Sequence, residues 1–372
     1  MSFLSEDDLA SFSDLGYTMV RGAFPRETAE ACVELIWQEM ERENGHKRLD
    51  VATWPAVKCP MALSFQQKHG PPWSEVFTPR LLGAIANICG GEDATEPFGC
   101  GWWMCTFPPL ERRAADYGNG DGDGDDDDDD CEWQVEGAWH VDGHWFDHYP
   151  FSSEVGLVAV MLFTDIARNG GGTAVAERSH IDVLQTLCGF GLNGCRNTAL
   201  ARATLGAGRG PYDVVELTGS AGDVVLMHPL LLHARSSNLS CRPPACRIIA
   251  HPSIPLRQPL DLLASPPSSM LAAIARSAIL GLGEEEGPAM LRHLTYDNVK
   301  RHQRERERDR EVVVSDPSKQ EEGNGGGGGG SELYDDIKER RPTAAAESVG
   351  AVDSGDDMEE TLGFRAFKFS RH

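Results

Sequence analysis

The stretch Trp139-His140-Val141-Asp142-Gly143-His144-Trp145 sets an imidazole and a carboxylate one residue apart. On a strand, residues i and i+2 share a face, so His140 and Asp142 would project together. Such a pair supplies two arms of a three-point metal site. Two histidines and one carboxylate, with the remaining positions open, suit non-haem Fe(II) and oxygen chemistry. His-x-Asp is a common pair by chance. The reading therefore depends on a third ligand and a co-substrate anchor further along the chain.

Third-ligand candidates lie in Val224 to Arg235, where His228 and His233 stand in an otherwise apolar run. A lone histidine in such a run is more often a core residue with both ring nitrogens satisfied. An odd number of positions separates the two, so one regular strand cannot point both inward. A competing set is His140, His144 and His148, at i, i+4 and i+8, as in a zinc hydrolase. That spacing needs a helix, whereas Gly137, Gly143, the flanking aromatics and Tyr149-Pro150 favour strand and loop. A His-Glu-x-x-His motif is also lacking.

The elements that must position these groups follow from hydrophobic period and turn chemistry. Ser5-Glu-Asp-Asp8 reads as a capping box opening a short helix that Gly16 stops. Tyr17 to Arg21 reads as a strand. Arg26 to Glu41 carries an apolar stripe at helical spacing, and Thr78 to Cys89 is a third helix ended by Gly90-Gly91. Strands are expected at 101–108, Glu154 to Ile166, Thr173 to Ala176, Tyr212 to Leu217, Val224 to His228 and Arg247 to His251, with an apolar helix at Val183 to Leu187. Leu260 to Leu282 reads as helical, and Arg301 to Glu311 as a solvated helix of alternating charge. Short strands with Gly, Pro and Asp turns, after helices, predict an antiparallel sandwich or jelly roll. Gly206-Ala-Gly-Arg-Gly210 is Gly-rich but lacks the strand and helix of a phosphate loop.

The chain has 372 residues, 40% of them hydrophobic, and a formal net charge of -24. That is enough for a large core, and it disfavours nucleic acid and anionic membrane surfaces as partners, since both need a basic face. The acidity is concentrated. Residues 114–130 end in a run of Asp, Asp125 to Asp130, after Gly-rich sequence. This is read as a disordered surface insertion; a calcium loop would need a closing Glu and flanking helices. From Ser315 the composition is that of a disordered tail. The domain expectation is one domain over 1–282, interrupted at about 114–130, followed by a charged, Gly-rich tail over 283–372. The Cys residues form no C-x-x-C pair, and Cys59, Cys89, Cys188 and Cys246 read as reduced thiols. With no secretory signal, membrane span or peroxisomal address in view, the expected location is the cytoplasm.

Five stretches together are similar to the phytanoyl-CoA dioxygenase family of Fe(II)/2-oxoglutarate oxygenases. They are Leu4 to Gly22, Trp139-His-Val-Asp142, Asn169-Gly-Gly-Gly-Thr173 to Ser179-His180, Gly222-Asp-Val-Val-Leu-Met-His-Pro-Leu-Leu-Leu-His233, and Arg247 with its strand. They span about residues 4 to 256, and the Gly222 to His233 block is the most specific. The resemblance implies a mainly β fold with flanking helices: a double-stranded β-helix (jelly-roll, cupin-like) core behind N-terminal helices. It implies iron held by His140, Asp142 and His233, with His228 a neighbour. It also implies an Arg on the last strand gripping the distal carboxylate of 2-oxoglutarate, a task that suits a guanidinium fork. Arg247, which heads an apolar strand, is preferred to Arg242, which precedes Pro243-Pro244.

Many family members carry a small hydroxyl residue two positions after the distal His. Here Arg235 stands there, so Thr173 and Ser236 are the hydroxyl residues expected beside the co-substrate. A carboxylate at Asp142 favours hydroxylation over halogenation. O2 and a small organic or lipid-like molecule would be the other reactants, with succinate and CO2 released. Trp103, Phe107, Trp145 and Phe146 are the candidate walls of the substrate pocket. The alternative on the same fold is a protein that binds metal or ligand without turnover.

Overall fold

The computed structural model describes residues 3–55, 61–63, 70–101, 103–109, 133–240 and 245–315. Its strands are β1 (Tyr17–Val20), β2 (Met61–Leu63), β3 (Trp103–Thr106), β4 (Val135–His140), β5 (Leu157–Leu162), β6 (Ala174–Ala176), β7 (Val214–Glu216), β8 (Val224–Met227), β9 (His233–Ser236), β10 (Arg247–Ala250) and β11 (Ser253–Ile254). Seven form one antiparallel sheet in the order β1-β8-β5-β10-β3-β2, with β11 also paired to β5. The other four form a second sheet, β4-β9-β6-β7. From β4 onward the chain passes between them: β4 in the small sheet, β5 in the large, β6 and β7 small, β8 large, β9 small, β10 large. This is the jelly-roll winding expected, with the two sheets remaining separate rather than closing into a barrel.

Residue parity along the central strands decides what faces what. In β5, Val158, Val160 and Leu162 join Val225, Met227 and Ile249 of the large sheet and Val175 of the small one in an apolar layer between the sheets. The alternate residues Leu157, Ala159, Met161, Val224, Leu226, Ile248 and Ala250 point the other way, into a core shared with the helices. Strand β5 is therefore buried on both faces, which is why its sequence is continuously apolar rather than alternating.

The helices α1 (Glu6–Leu15), α2 (Arg26–Asn44), α3 (Pro79–Cys89) and α6 (Met270–Leu280) contribute Phe12, Ile36, Leu81, Ile88 and Ile279 to that core. The α1 cap is the capping box read from Ser5 and Asp8, and Gly16 ends the helix at φ +90°. Between α3 and α6 in the chain come α4 (Ser179–Phe190) and α5 (Asn197–Gly206). The sequence gives no clear helical signal for α5, whose Ala-rich turns lie between glycines. Past residue 282, where the tail was expected to begin, α7 (Glu286–His293) and α8 (Tyr296–Ser315) follow, and Leu291, Leu294 and Val299 are buried. These elements up to Arg310 belong to one unit, Met1–Arg310. No helix among the described residues is long and apolar enough to cross a membrane. The insertion 114–130, Cys59, Arg242 and the chain after residue 315 lie outside the described residues.

Two turns hold the strands that matter most. The Asp223 carboxylate accepts from Gly22 N at 2.8 Å, Ser220 N at 3.0 Å and Arg21 Nη1 at 2.9 Å, tying the end of β1 to the start of β8. Gly222 beside it has φ +96°, and a Cβ there would stand 2.4 Å from the Phe24 carbonyl oxygen. Gly222-Asp223 is thus a requirement of this close backbone approach. The Glu216 carboxylate likewise accepts from Asn169 N and Gly172 N, holding the turn before β6.

Candidate metal centre

His140 is the last residue of β4 and His233 the first of β9, and the two stand opposite one another in register. Their ring centroids are 4.4 Å apart. The pairing shifts between Glu136 and His140, where Gly137 has φ +101°. Such a bulge re-aims the end of a strand, here the end that carries His140. Asp142 follows two residues later, and Gly143 turns the chain at φ +98°, where a Cβ would lie 2.3 Å from the Phe146 ring. One ligand atom from each of His140, Asp142 and His233 lies within 4.8 Å of the others. Among the described residues this is the one group of three or more His, Cys, Asp or Glu side chains so arranged.

The imidazoles are oriented by their own backbone. His140 Nδ1 is 3.0 Å from the Ala138 carbonyl oxygen, and His233 Nδ1 is 3.0 Å from that of Leu231. A carbonyl only accepts, so each Nδ1 carries the proton and each Nε2 keeps its lone pair. His233 Nε2 and Asp142 Oδ2 are buried and lack hydrogen-bond partners. Buried polar atoms are normally satisfied, and a cation on this face would satisfy His233 Nε2.

Electrostatics point the same way. Burial, reinforced by the neighbouring His233, lowers His140 to about 4. Burial also opposes a charge on His233, but the Asp142 carboxylate, 3.5 Å from Nε2, outweighs it and raises that residue. Asp142 is held below the usual carboxylate range by His251 and His233, against the effect of its burial. The pocket thus keeps a carboxylate ionised and an imidazole neutral, the protonation states that bind a metal.

Arg247 opens β10 on the same parity as Ile249, so it faces the space between the sheets. It is 4% exposed. Its Nη2 donates to Thr106 Oγ1, 2.5 Å away, across the β10–β3 register, and its Nε has no partner. Burial lowers it to about 10, leaving it cationic at neutral pH. A single cavity of about 570 Å³ takes in His140, Asp142, His233 and Arg247, with Thr173, Trp145 and His251 also on its wall.

Other residues singled out from sequence lie elsewhere. Ser236 is buried and its hydroxyl donates to the Gly172 carbonyl. Trp103 and Phe107 are not on the cavity wall: Trp103 packs against Trp73 and Phe163, and Phe107 against Trp37 and Trp54, in the helix-side core. Parity explains Trp103, since Met104 and Thr106 take the inward positions of β3. Phe146 packs on His148, whereas Trp145 is 55% exposed. His228 points to the helix side, near Phe12 and His180, and its Nδ1 accepts from Leu230 N. The His140–His144–His148 set is not assembled. The chain leaves β4 and turns at Gly143 instead of coiling, and His148 bridges to Cys195. His251 was not singled out, although it falls on the parity of Arg247 and Ile249.

No family model and no curated protein matches the chain. Among solved structures it is similar to the non-heme alpha ketoglutarate dependent carbocyclase SnoK from nogalamycin biosynthesis, at 16% identity, covering 69% of this chain and 86% of that one, TM-score 0.40. HygX from Streptomyces hygroscopicus, with nickel and 2-oxoglutarate bound, is 13% identical over 68% of this chain and 87% of its own, TM-score 0.36. EctD from S. alaskensis with bound Fe is 14% identical over 68% and 77%, TM-score 0.37. None of these similarities by itself assigns chemistry to this chain.

Proposed function

We propose that the chain is an Fe(II)- and 2-oxoglutarate-dependent oxygenase of the phytanoyl-CoA dioxygenase type, hydroxylating a small organic or lipid-like substrate in the cytoplasm. The observation that carries this reading is the meeting, in one cavity, of a His-Asp-His face with an unsatisfied buried imidazole nitrogen and a buried arginine. The donor set fits the metal: two imidazoles and one carboxylate on one side leave coordination positions open on the other. His140, Asp142 and His233 would hold the iron. Bound iron with 2-oxoglutarate supplies the oxidation, in which O2 delivers one oxygen atom to a substrate C–H bond and 2-oxoglutarate leaves as succinate and CO2.

The remaining work belongs to this chain's own side chains. Arg247 takes the distal carboxylate of the co-substrate through its fork, with Thr106 holding one Nη and the unpartnered Nε left to donate. Thr173 offers a hydroxyl on the same wall. The Nδ1 bonds of His140 and His233 to their own backbone keep both rings turned toward the metal. A cavity of about 570 Å³ is within the range of sites for small organic molecules.

Anaerobic visible spectroscopy of the metal-free chain tests the reading, with Fe(II) added first and 2-oxoglutarate second. The expected result is a charge-transfer band that requires both additions, is absent in His140→Ala and needs far more 2-oxoglutarate in Arg247→Ala. Iron bound with no band would leave a metal-binding protein without turnover. A centre that accepts only Zn(II) would overturn the oxygenase.

A further inference from the structure

We propose that His251 is a positioning residue of this centre, an imidazole that holds the outer oxygen of Asp142 and keeps the carboxylate a one-oxygen ligand. The inference rests on the metal reading above, and three observations on this chain carry it.

The two oxygens of Asp142 have different neighbours. Oδ1 lies 3.5 Å from His233 Nε2, and Oδ2 lies 3.4 Å from His251 Nδ1. Oδ2 is buried without a hydrogen bond, and a buried carboxylate oxygen left alone is costly. A carboxylate only accepts, so in the proposed role His251 carries its proton on Nδ1 and donates it to Oδ2 as the 3.4 Å approach closes.

The second observation separates His251 from the ligands themselves. Its ring is 5.4 Å from that of His233, yet the atoms that converge within 4.8 Å of one another come from His140, Asp142 and His233 alone. The third is how the chain delivers it. Arg247 and Ile249 face inward along β10, and His251 continues that parity one step past the strand's end. The backbone there passes so close to Gly101, at φ +65°, that a Cβ on Gly101 would stand 2.7 Å from Pro252 Cα. The close approach seats this segment beside the centre.

A carboxylate free to turn can bind a metal through both oxygens, which would close a position that the co-substrate or O2 needs. A donor fixed on the outer oxygen prevents the turn. Partners of this kind, behind the direct ligands, typically change metal affinity by about 10- to 100-fold when removed.

Co(II) titration of the metal-free, full-length chain, followed by its visible spectrum, reads both affinity and coordination. In His251→Phe we expect the dissociation constant to rise at least about tenfold and the band intensity to change with coordination number. In His251→Asn, whose amide N–H reaches the place of Nδ1, both return close to wild type. Circular dichroism checks the fold of each variant. Should His251→Phe not fold, His251→Gln replaces it, because its amide reaches the place of Nε2 instead. Wild-type affinity and spectrum in the Phe or Gln variant overturn the proposal, as does an Asn variant no better than it. Wild-type protein that takes up no Co(II), or His140→Ala protein that binds it unchanged, overturns the metal reading itself and this inference with it.

Discussion

At the scale of single residues, the centre is governed by which atoms hold protons. Asp142 raises His233 above its ordinary value, so a proton and a metal compete for the same Nε2. A raised pKa means the proton is held to higher pH. Metal affinity should therefore weaken as pH falls through that pKa, by up to about tenfold per pH unit, and level off above it. Co(II) or Zn(II) titrations between about pH 8 and about pH 6 measure this; a flat profile would contradict the coupling of His233 to Asp142. Arg247 makes a separate prediction. Lysine keeps the charge but loses the fork, so Arg247→Lys should weaken 2-oxoglutarate by about 10- to 100-fold while metal affinity stays put. Calorimetric titration of the metal-loaded variant under anaerobic conditions distinguishes this from a loss of the metal. The nearness of His140 and Asp142 was legible from their spacing, although Asp142 lies past the end of β4 rather than on its face. His251 was not, because its importance lies in facing a residue more than a hundred positions away.

At the scale of elements, β8 with its preceding turn and the α1–α4 packing can be tested without any ligand. Gly222→Ala would force a side chain into a left-handed residue and against the Phe24 carbonyl. The expected loss is roughly 2–4 kcal/mol in chemical denaturation. His180 and His228 lie side by side between α1, α4 and the end of β8, with ring centroids 5.0 Å apart. Burial lowers His180 from 6.5 to about 4, and burial with the nearby His180 lowers His228 as well. The fold therefore refuses protons that the unfolded chain accepts. Below about pH 6.5, stability should fall by about 1.4 kcal/mol per pH unit for each ring, until the folded pKa is reached. His180→Gln preserves a donor toward the Ser13 carbonyl and should remove one ring's share of the acid-side slope, about 1.4 kcal/mol per pH unit, read as urea midpoints across the acid range. These two histidines also show why His228 stands apart from His140 and Asp142. Parity sends it to the helix side of the sheet, where Phe12 and His180 surround it.

At the scale of the whole molecule, the buried core among the described residues runs from Leu4 to Val299, and the candidate centre lies within it. A chain ending at residue 315 should keep the melting temperature and the Co(II) affinity of the full chain, measured side by side; a loss of either would give the remaining residues a structural role. The sequence by itself determined the apolar strands, the capping box of α1, the Gly-Asp turn, and the nearness of His140 to Asp142, because each depends on residues within a few positions of one another. It also narrowed the choice between His228 and His233 through parity. Only the tertiary structure decided the rest. Trp103 and Phe107 look like pocket walls until the winding of the two sheets shows which face of β3 is inward. His144 and His148 separate once Gly143 turns the chain. Arg247, His251 and Asp142 share one cavity only because β10 lies in one sheet and β4 in the other, with the apolar layer of Val160, Val175 and Ile249 between them. Which side chains meet across two sheets depends on the register and stacking of distant strands, and burial of that shared layer sets both.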